Sequence, residues 1–239
     1  LWELGAATGA ISTRLIPPPS AIAETLYDLA LSGDLFAHSL STTLRVLGGF
    51  ALGATVATVL GAATGVSERF ETLFDPTLQA LRNIPSIAWT PLFILWFGIF
   101  ETSKVLMIAL GVFFPVYLTF SGAIASVDRG LVEVGRVYGF GTTRLIQRIL
   151  FPASLPTYLI GLRNGLGLGW MFVVAAEFLG ASQGLGYLLV DGQQTGRPAL
   201  IIASIVMFAV LGKTTDRVLR SIGSRFTRWQ DGFIRESVS

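Results

Sequence analysis

The chain is 239 residues long, with apolar residues at 52%, charged residues at 13% and a formal net charge of +2. A soluble domain carries roughly 25% charged residues, so this composition is that of a chain immersed in lipid, and its slight positive balance reads as membrane orientation rather than nucleic-acid binding. There is no cysteine and one histidine, His38, which excludes disulfides, cysteine-ligated metals and a histidine metal cluster, and argues against a redox role.

The length suggests one domain, covering 1–239. Residues 1–12 are apolar but too short to cross a bilayer, which takes about 20 residues. They read as the end of a first span, and residues are expected before Leu1 because the chain has no initiator methionine. Arg14 and the prolines 17–19 break the chain. Ser20 is a candidate cap for an amphipathic helix over 21–32, with Ile22, Leu26 and Leu29 on one face. Residues 38–66 form the first full span. The Gly49–Gly53 and Gly61–Gly65 pairs predict close helix packing there, and Arg45 is expected to snorkel outward.

Residues 73–97 hold Asp75, Pro76, Arg82, Asn83 and Pro85 ahead of an apolar half. This span reads as broken and turned toward protein or a water-filled path. Residues 104–125 give a cleaner span kinked at Pro115. Residues 157–180, with Arg163 and Glu177 inside, and 198–223 complete the set, and a short segment near 185–191 is expected to rest against the outer face. The fold expected is all-α and polytopic, six transmembrane helices with the first truncated.

The stretch 128–156 carries four arginines between two apolar spans. Asp128 is positioned to cap a helix over 129–138, Gly139 and Gly141 to stop it, and Thr142 to cap a second helix ending at Pro152. Leu131, Val134 and Tyr138 share one face of the first helix; Arg129, Glu133 and Arg136 lie on another. If this loop is cytoplasmic, the inner side receives Arg69, Arg129, Arg136, Arg144, Arg148, Arg217, Arg220, Arg225, Arg228 and Arg235. The outer flanks receive Arg14, Lys104 and Arg197. That bias agrees with a cytoplasmic loop and a cytoplasmic C-terminus.

The spacing in 128–156 resembles the EAA loop of bacterial ABC importer permeases, in which Glu-Ala-Ala is followed by Gly, then Ile-x-Leu-Pro. Glu133, Gly139, Ile149 and Pro152 fall in register; Val134 and Gly135 replace the alanines and Phe151 the leucine. The stretches LRNIPSIAWTPLFILWFGI, VDRGLVEVGRVYG and GLGLGWMFVVAAEFLGASQGLGYLL are similar to permease subunits of nitrate, sulfonate and taurine importers. WFGIFETSK and AVLGKTTD bring the aliphatic sulfonate permeases nearest. The resemblance implies the type I importer permease fold, with 128–156 as a coupling helix docking on an ATP-hydrolysing subunit through Glu133, Gly135, Gly139, Ile149 and Pro152. It further implies a homodimer, two ATPase subunits that bind ATP and Mg, an external substrate-binding protein and a place in the bacterial inner membrane.

No GxxxxGK[ST] motif occurs, because Gly212-Lys213-Thr214 lacks the upstream glycine, and there is no nucleophile elbow or zinc motif. The chain is expected to have no catalytic residues, cofactor or metal of its own. For the substrate path, Arg82, Trp89 and Trp96 repeat every seven residues, as do Arg163, Trp170 and Glu177. A cation with aromatic walls suits a sulfonate, although the same arginines can snorkel and the tryptophans can be core or interfacial anchors. A buried Glu177 requires a cationic partner that the sequence does not name. Taurine and nitrate remain alternative substrates. A secondary transporter or channel is the more distant alternative, which would need no docking loop.

Overall fold

The computed structural model describes residues 1–9, 12–13, 15–178 and 180–227. Of the cations counted for orientation, Arg14, Arg228 and Arg235 lie outside the described residues. Every regular element among those residues is helical. In order they are α1 (Trp2–Ala7), α2 (Pro19–Ser32), α3 (Asp34–Val66), α4 (Glu68–Arg82), α5 (Thr90–Phe97), α6 (Glu101–Ala125), α7 (Arg129–Val137), α8 (Thr142–Leu145), α9 (Phe151–Phe178), α10 (Leu185–Gln194) and α11 (Pro198–Phe226).

Four helices are long and apolar enough to cross a membrane: Asp34–Val66, Glu101–Ala125, Thr142–Phe178 and Pro198–Phe226. At about 1.5 Å per residue the 33 residues of α3 exceed a hydrocarbon core of roughly 30 Å, so its ends project beyond it.

The core is the layer α3–α6–α9. The small residues foreseen at Gly49, Gly53, Gly61 and Gly65 are where α3 meets α6. A Cβ on Gly49 would come within 2.5 Å of Ile108, and one on Gly65 within 2.9 Å of Ile124. These contacts ascend together in both helices, so α3 and α6 run parallel. Gly161 and Gly165 of α9 meet Thr119 and Val116 of α6 in descending order, so α9 runs antiparallel to it. Val46, Ile108, Val112, Val116, Tyr117, Trp170 and Val173 fill the space between.

Parallel α3 and α6 oblige the segment joining them to return across the layer. It does so in two pieces. The seven-residue register through Arg82, Trp89 and Trp96 assumed one continuous helix. Instead α4 stops at Arg82, Pro85 leads into a short 3-10 turn at Ser86–Trp89, and α5 follows. The prolines remove the N–H groups that continuity would need.

Two capping expectations are corrected. The Ser20 side chain does not cap α2, which starts one residue earlier at Pro19; its hydroxyl instead donates to Glu3 at 2.7 Å. Thr142 makes no side-chain cap either, and the second helix does not end at Pro152. It passes through a π-turn at Ile146–Leu150 directly into α9. Pro152 is tolerated because it sits in the first turn after the π segment, where a lost backbone N–H costs little.

Candidate functional site

Two features stand at opposite ends of the layer. At the end where α6 finishes and α9 begins, α7 folds back as a short helix with a rigid stop. Asp128 caps it by accepting the Gly130 N–H at 2.6 Å. At its other end Gly139 N–H donates to the Arg136 carbonyl at 2.9 Å and Phe140 N–H to the Gly135 carbonyl at 3.0 Å. This Schellman closure holds Gly139 at φ 73°, a conformation open to glycine.

Gly135 is buried because α7 lies on the next helix at that point. A Cβ there would sit 2.5 Å from Ile149 and 2.8 Å from Leu145. Val132, Leu145, Ile149 and Leu150 form a small core with Phe120 and Ile124 beneath the turn. The other face is bare. Leu131, Val134, Val137 at 86% and Tyr138 at 76% are exposed, beside exposed Arg129, Glu133 and Arg136. Glu133 has no ion-pair partner among the described residues. An apolar strip ringed by charge, fixed in place at both ends, is the form of a docking surface.

At the opposite end is a buried charge network. Glu177 is 1% exposed, and the partner it requires is Arg45, whose Nη1 donates to Oε1 at 2.7 Å. Arg45 does not snorkel outward: it is 6% exposed and points into the layer. Its Nε and Nη2 donate to the two oxygens of Glu101 at 2.6 and 2.8 Å, and Nη1 also reaches the Gln183 carbonyl at 2.6 Å. Lys104 completes the set with a 3.0 Å contact to Glu101.

The same cluster receives the start of α10. The N–H groups of Gly184, Leu185 and Gly186 donate to His38 Nδ1 at 2.9 Å, Thr42 Oγ1 at 2.8 Å and Glu177 Oε2 at 2.7 Å. The first N–H groups of a helix have no partner inside it, and here each acceptor comes from another helix. Gly184 tolerates nothing larger, since a Cβ would touch the Glu177 carboxylate at 2.5 Å.

The remaining expected pathway residues are not brought onto one face. Trp89 and Trp96 flank Phe93 in an aromatic run with centroids 6.5 Å apart at each step. Trp89 Nε1 is buried without a hydrogen-bond partner among the described residues, Trp96 is exposed, and Arg82 is exposed at the end of α4. Trp170 is buried, donating to Thr215 at 2.9 Å. Arg163 pairs with Asp216, 2.7 Å from Nε and 2.9 Å from Nη2. Glu101, Thr42 and His38 were missed by sequence reasoning. The signal that existed was Arg45 itself, in step with the close-packed Gly49 and Gly53 rather than on a lipid face.

Residues 42–228 match the family described as the binding-protein-dependent transport system inner membrane component. A protein named as an aliphatic sulfonates transport permease, SsuC, of Bacillus subtilis (strain 168) is 41% identical over 233 residues, covering 98% of this chain and 84% of that protein. The Escherichia coli (strain K12) protein of the same name is 35% identical, covering 98% and 89%. The taurine transport permease TauC of Escherichia coli (strain K12) is 30% identical, covering 96% and 85%. Among solved structures, an inward-facing MetNI methionine ABC transporter chain superposes with a TM-score of 0.75 at 16% identity, covering 83% of this chain and 99% of that one.

The layered helical arrangement is the type I ABC importer permease fold. The chain belongs to the binding-protein-dependent inner-membrane component family: it is an ABC importer permease subunit, a multi-pass inner-membrane protein rather than a catalytic enzyme.

Proposed function

We propose that this chain forms the translocation pathway for a small anion, an aliphatic sulfonate delivered by an external binding protein. Two copies form a homodimer whose two ATPase partners bind ATP and Mg. The observation that carries the coupling part is the α7 turn, apolar and charged on its free face and anchored through Gly135 and Gly139 on the other. Glu133, Gly135, Gly139, Ile149 and Pro152 form the coupling element in this reading. The free face meets the ATPase, and the anchored face transmits its movement to Leu145 and Ile149, on the helix that continues through the π-turn into α9.

The names of the SsuC relatives support the sulfonate, and the TauC relative keeps taurine as the rival within the same architecture. The Trp89 and Trp96 aromatic run with Arg82 remains the proposed wall of the path on the broken segment, the unpaired Trp89 Nε1 offering it a donor. Trp170 and Glu177 act in that reading from behind it, as supports. In this reading the turn and the C-terminus both face the cytoplasm; that α11 runs antiparallel to α9 and ends beside the turn supports their sharing one side.

The test is uptake into liposomes by the permease with its ATPase and binding protein, using ethanesulfonate, taurine and nitrate as separate substrates. Ethanesulfonate uptake that requires both ATP and the ATPase is the expected result. Uptake by the permease alone would remove the importer mechanism, and preference for taurine or nitrate would reassign the substrate.

A further inference from the structure

A second charged feature lies at the turn-bearing end, in a cleft of about 270 Å³ between α9 and α11. Neither the coupling turn nor the Arg45 network uses it. Arg163 and Arg220 line it together with Thr157, and Leu159 and Leu219 supply its apolar part.

Arg163 is oriented but not saturated by its pairing. Asp216 engages Nε and Nη2, which leaves Nη1 without a partner among the described residues. The bidentate pair fixes the plane of the guanidinium, so the free edge is already aimed. Arg220 is exposed and makes no ion pair among the described residues. Among the described residues no carboxylate lines the cleft, and Asp216 balances Arg163, so one positive charge is left over.

We propose that this cleft binds one tetrahedral oxyanion bearing a single negative charge, the group shared by an alkanesulfonate and a lipid phosphodiester. Nη1 of Arg163 and the Arg220 guanidinium are its charged donors, and the Thr157 hydroxyl is a neutral one. Two sources present that group at this depth. Basic pockets between spanning helices at the cytoplasmic side take anionic lipid headgroups. Ion pairs within spans also face water-filled paths, where a transported anion passes. The sulfonate source rests on the function proposed above; the lipid source does not.

The experiment uses the assembled permease–ATPase complex in an uncharged detergent. Retention of phosphatidylglycerol is read by native mass spectrometry against phosphatidylcholine, and ethanesulfonate affinity by calorimetry without binding protein. Arg220→Ala removes an exposed side chain and is expected to weaken the bound probe about tenfold, as loss of a charged hydrogen bond does. The double variant Arg163→Ala with Asp216→Ala leaves no orphaned charge and is expected to do the same. Weakened lipid retention supports the cleft as a headgroup site; weakened ethanesulfonate affinity supports it as a station for the transported anion. The inference is overturned if the native complex binds neither probe, or if both variants hold them as tightly as the native complex. A native complex that imports ethanesulfonate with its binding protein yet binds neither probe overturns this site alone and leaves the proposed function standing.

Discussion

Arg45 is the residue on which the end of the bundle remote from the turn converges, because three helices and one loop carbonyl depend on a single guanidinium. Removing one member of a buried pair leaves the other charged and unpaired, which costs about 3–5 kcal/mol. Arg45→Ala and Glu177→Ala are therefore each expected to lower thermal stability of the purified permease strongly. The double variant should recover part of the loss, since neither charge is then orphaned. Unfolding followed by tryptophan fluorescence or a thiol-free thermal shift assay measures this. A double variant whose loss equals the sum of the singles would mean the two charges do not interact. Glu101, whose side chain is 60% exposed, should matter less, because solvent shares the work of stabilising it.

At the scale of the element, the α7 turn combines two separable functions, a shape set by Gly139 and a surface that includes Glu133. A β-branched residue at φ 73° is strained by about 1–3 kcal/mol. Loss or reversal of a charge at a docked contact costs about 2–5 kcal/mol. Gly139→Val and Glu133→Arg are both expected to leave the spanning helices intact while losing either capture of the ATPase or its stimulation by loaded binding protein. Pull-down followed by ATP turnover distinguishes them: Glu133→Arg should fail at capture, and Gly139→Val at stimulation. Normal capture and normal stimulation in both would remove α7 as the coupling element.

This element was legible because its signals are local: Asp128, Gly135 and Gly139 act within a few residues of themselves. The end of the second helix was not. Pro152 reads as a stop on its own, and only the π-turn that accommodates it reveals a continuous helix.

For the whole molecule, the layer α3–α6–α9 could be anticipated from glycine spacing, since close packing demands small residues wherever backbones approach. The charge network could not, because the partners of Arg45 lie 56 to 138 residues from it in sequence and no spacing rule joins them. The broken crossing was foreseen as broken but not as two helices, since the prolines alone do not say whether a helix bends or stops. Helix directions yield a further expectation, that the C-terminus and the α7 turn share one side. A C-terminal green fluorescent protein fusion should fluoresce in cells, and an alkaline phosphatase fusion at the same site should stay inactive. The reverse pattern would invert the orientation proposed for the chain.

The network also has a history during synthesis. Arg45 enters the bilayer early, Glu101 arrives 56 residues later and Glu177 132 residues later. For that interval the growing chain carries a cation whose final partners do not yet exist. Glu101 can neutralise it first at the membrane edge, and only the arrival of Glu177 draws it inward and adds the last of the three acceptors that start the first turn of α10. A nascent or truncated chain lacking residue 101 thus displays an unmatched charge within its first complete span. Membrane quality control that detects exposed charge would therefore distinguish unfinished copies of this protein from finished ones.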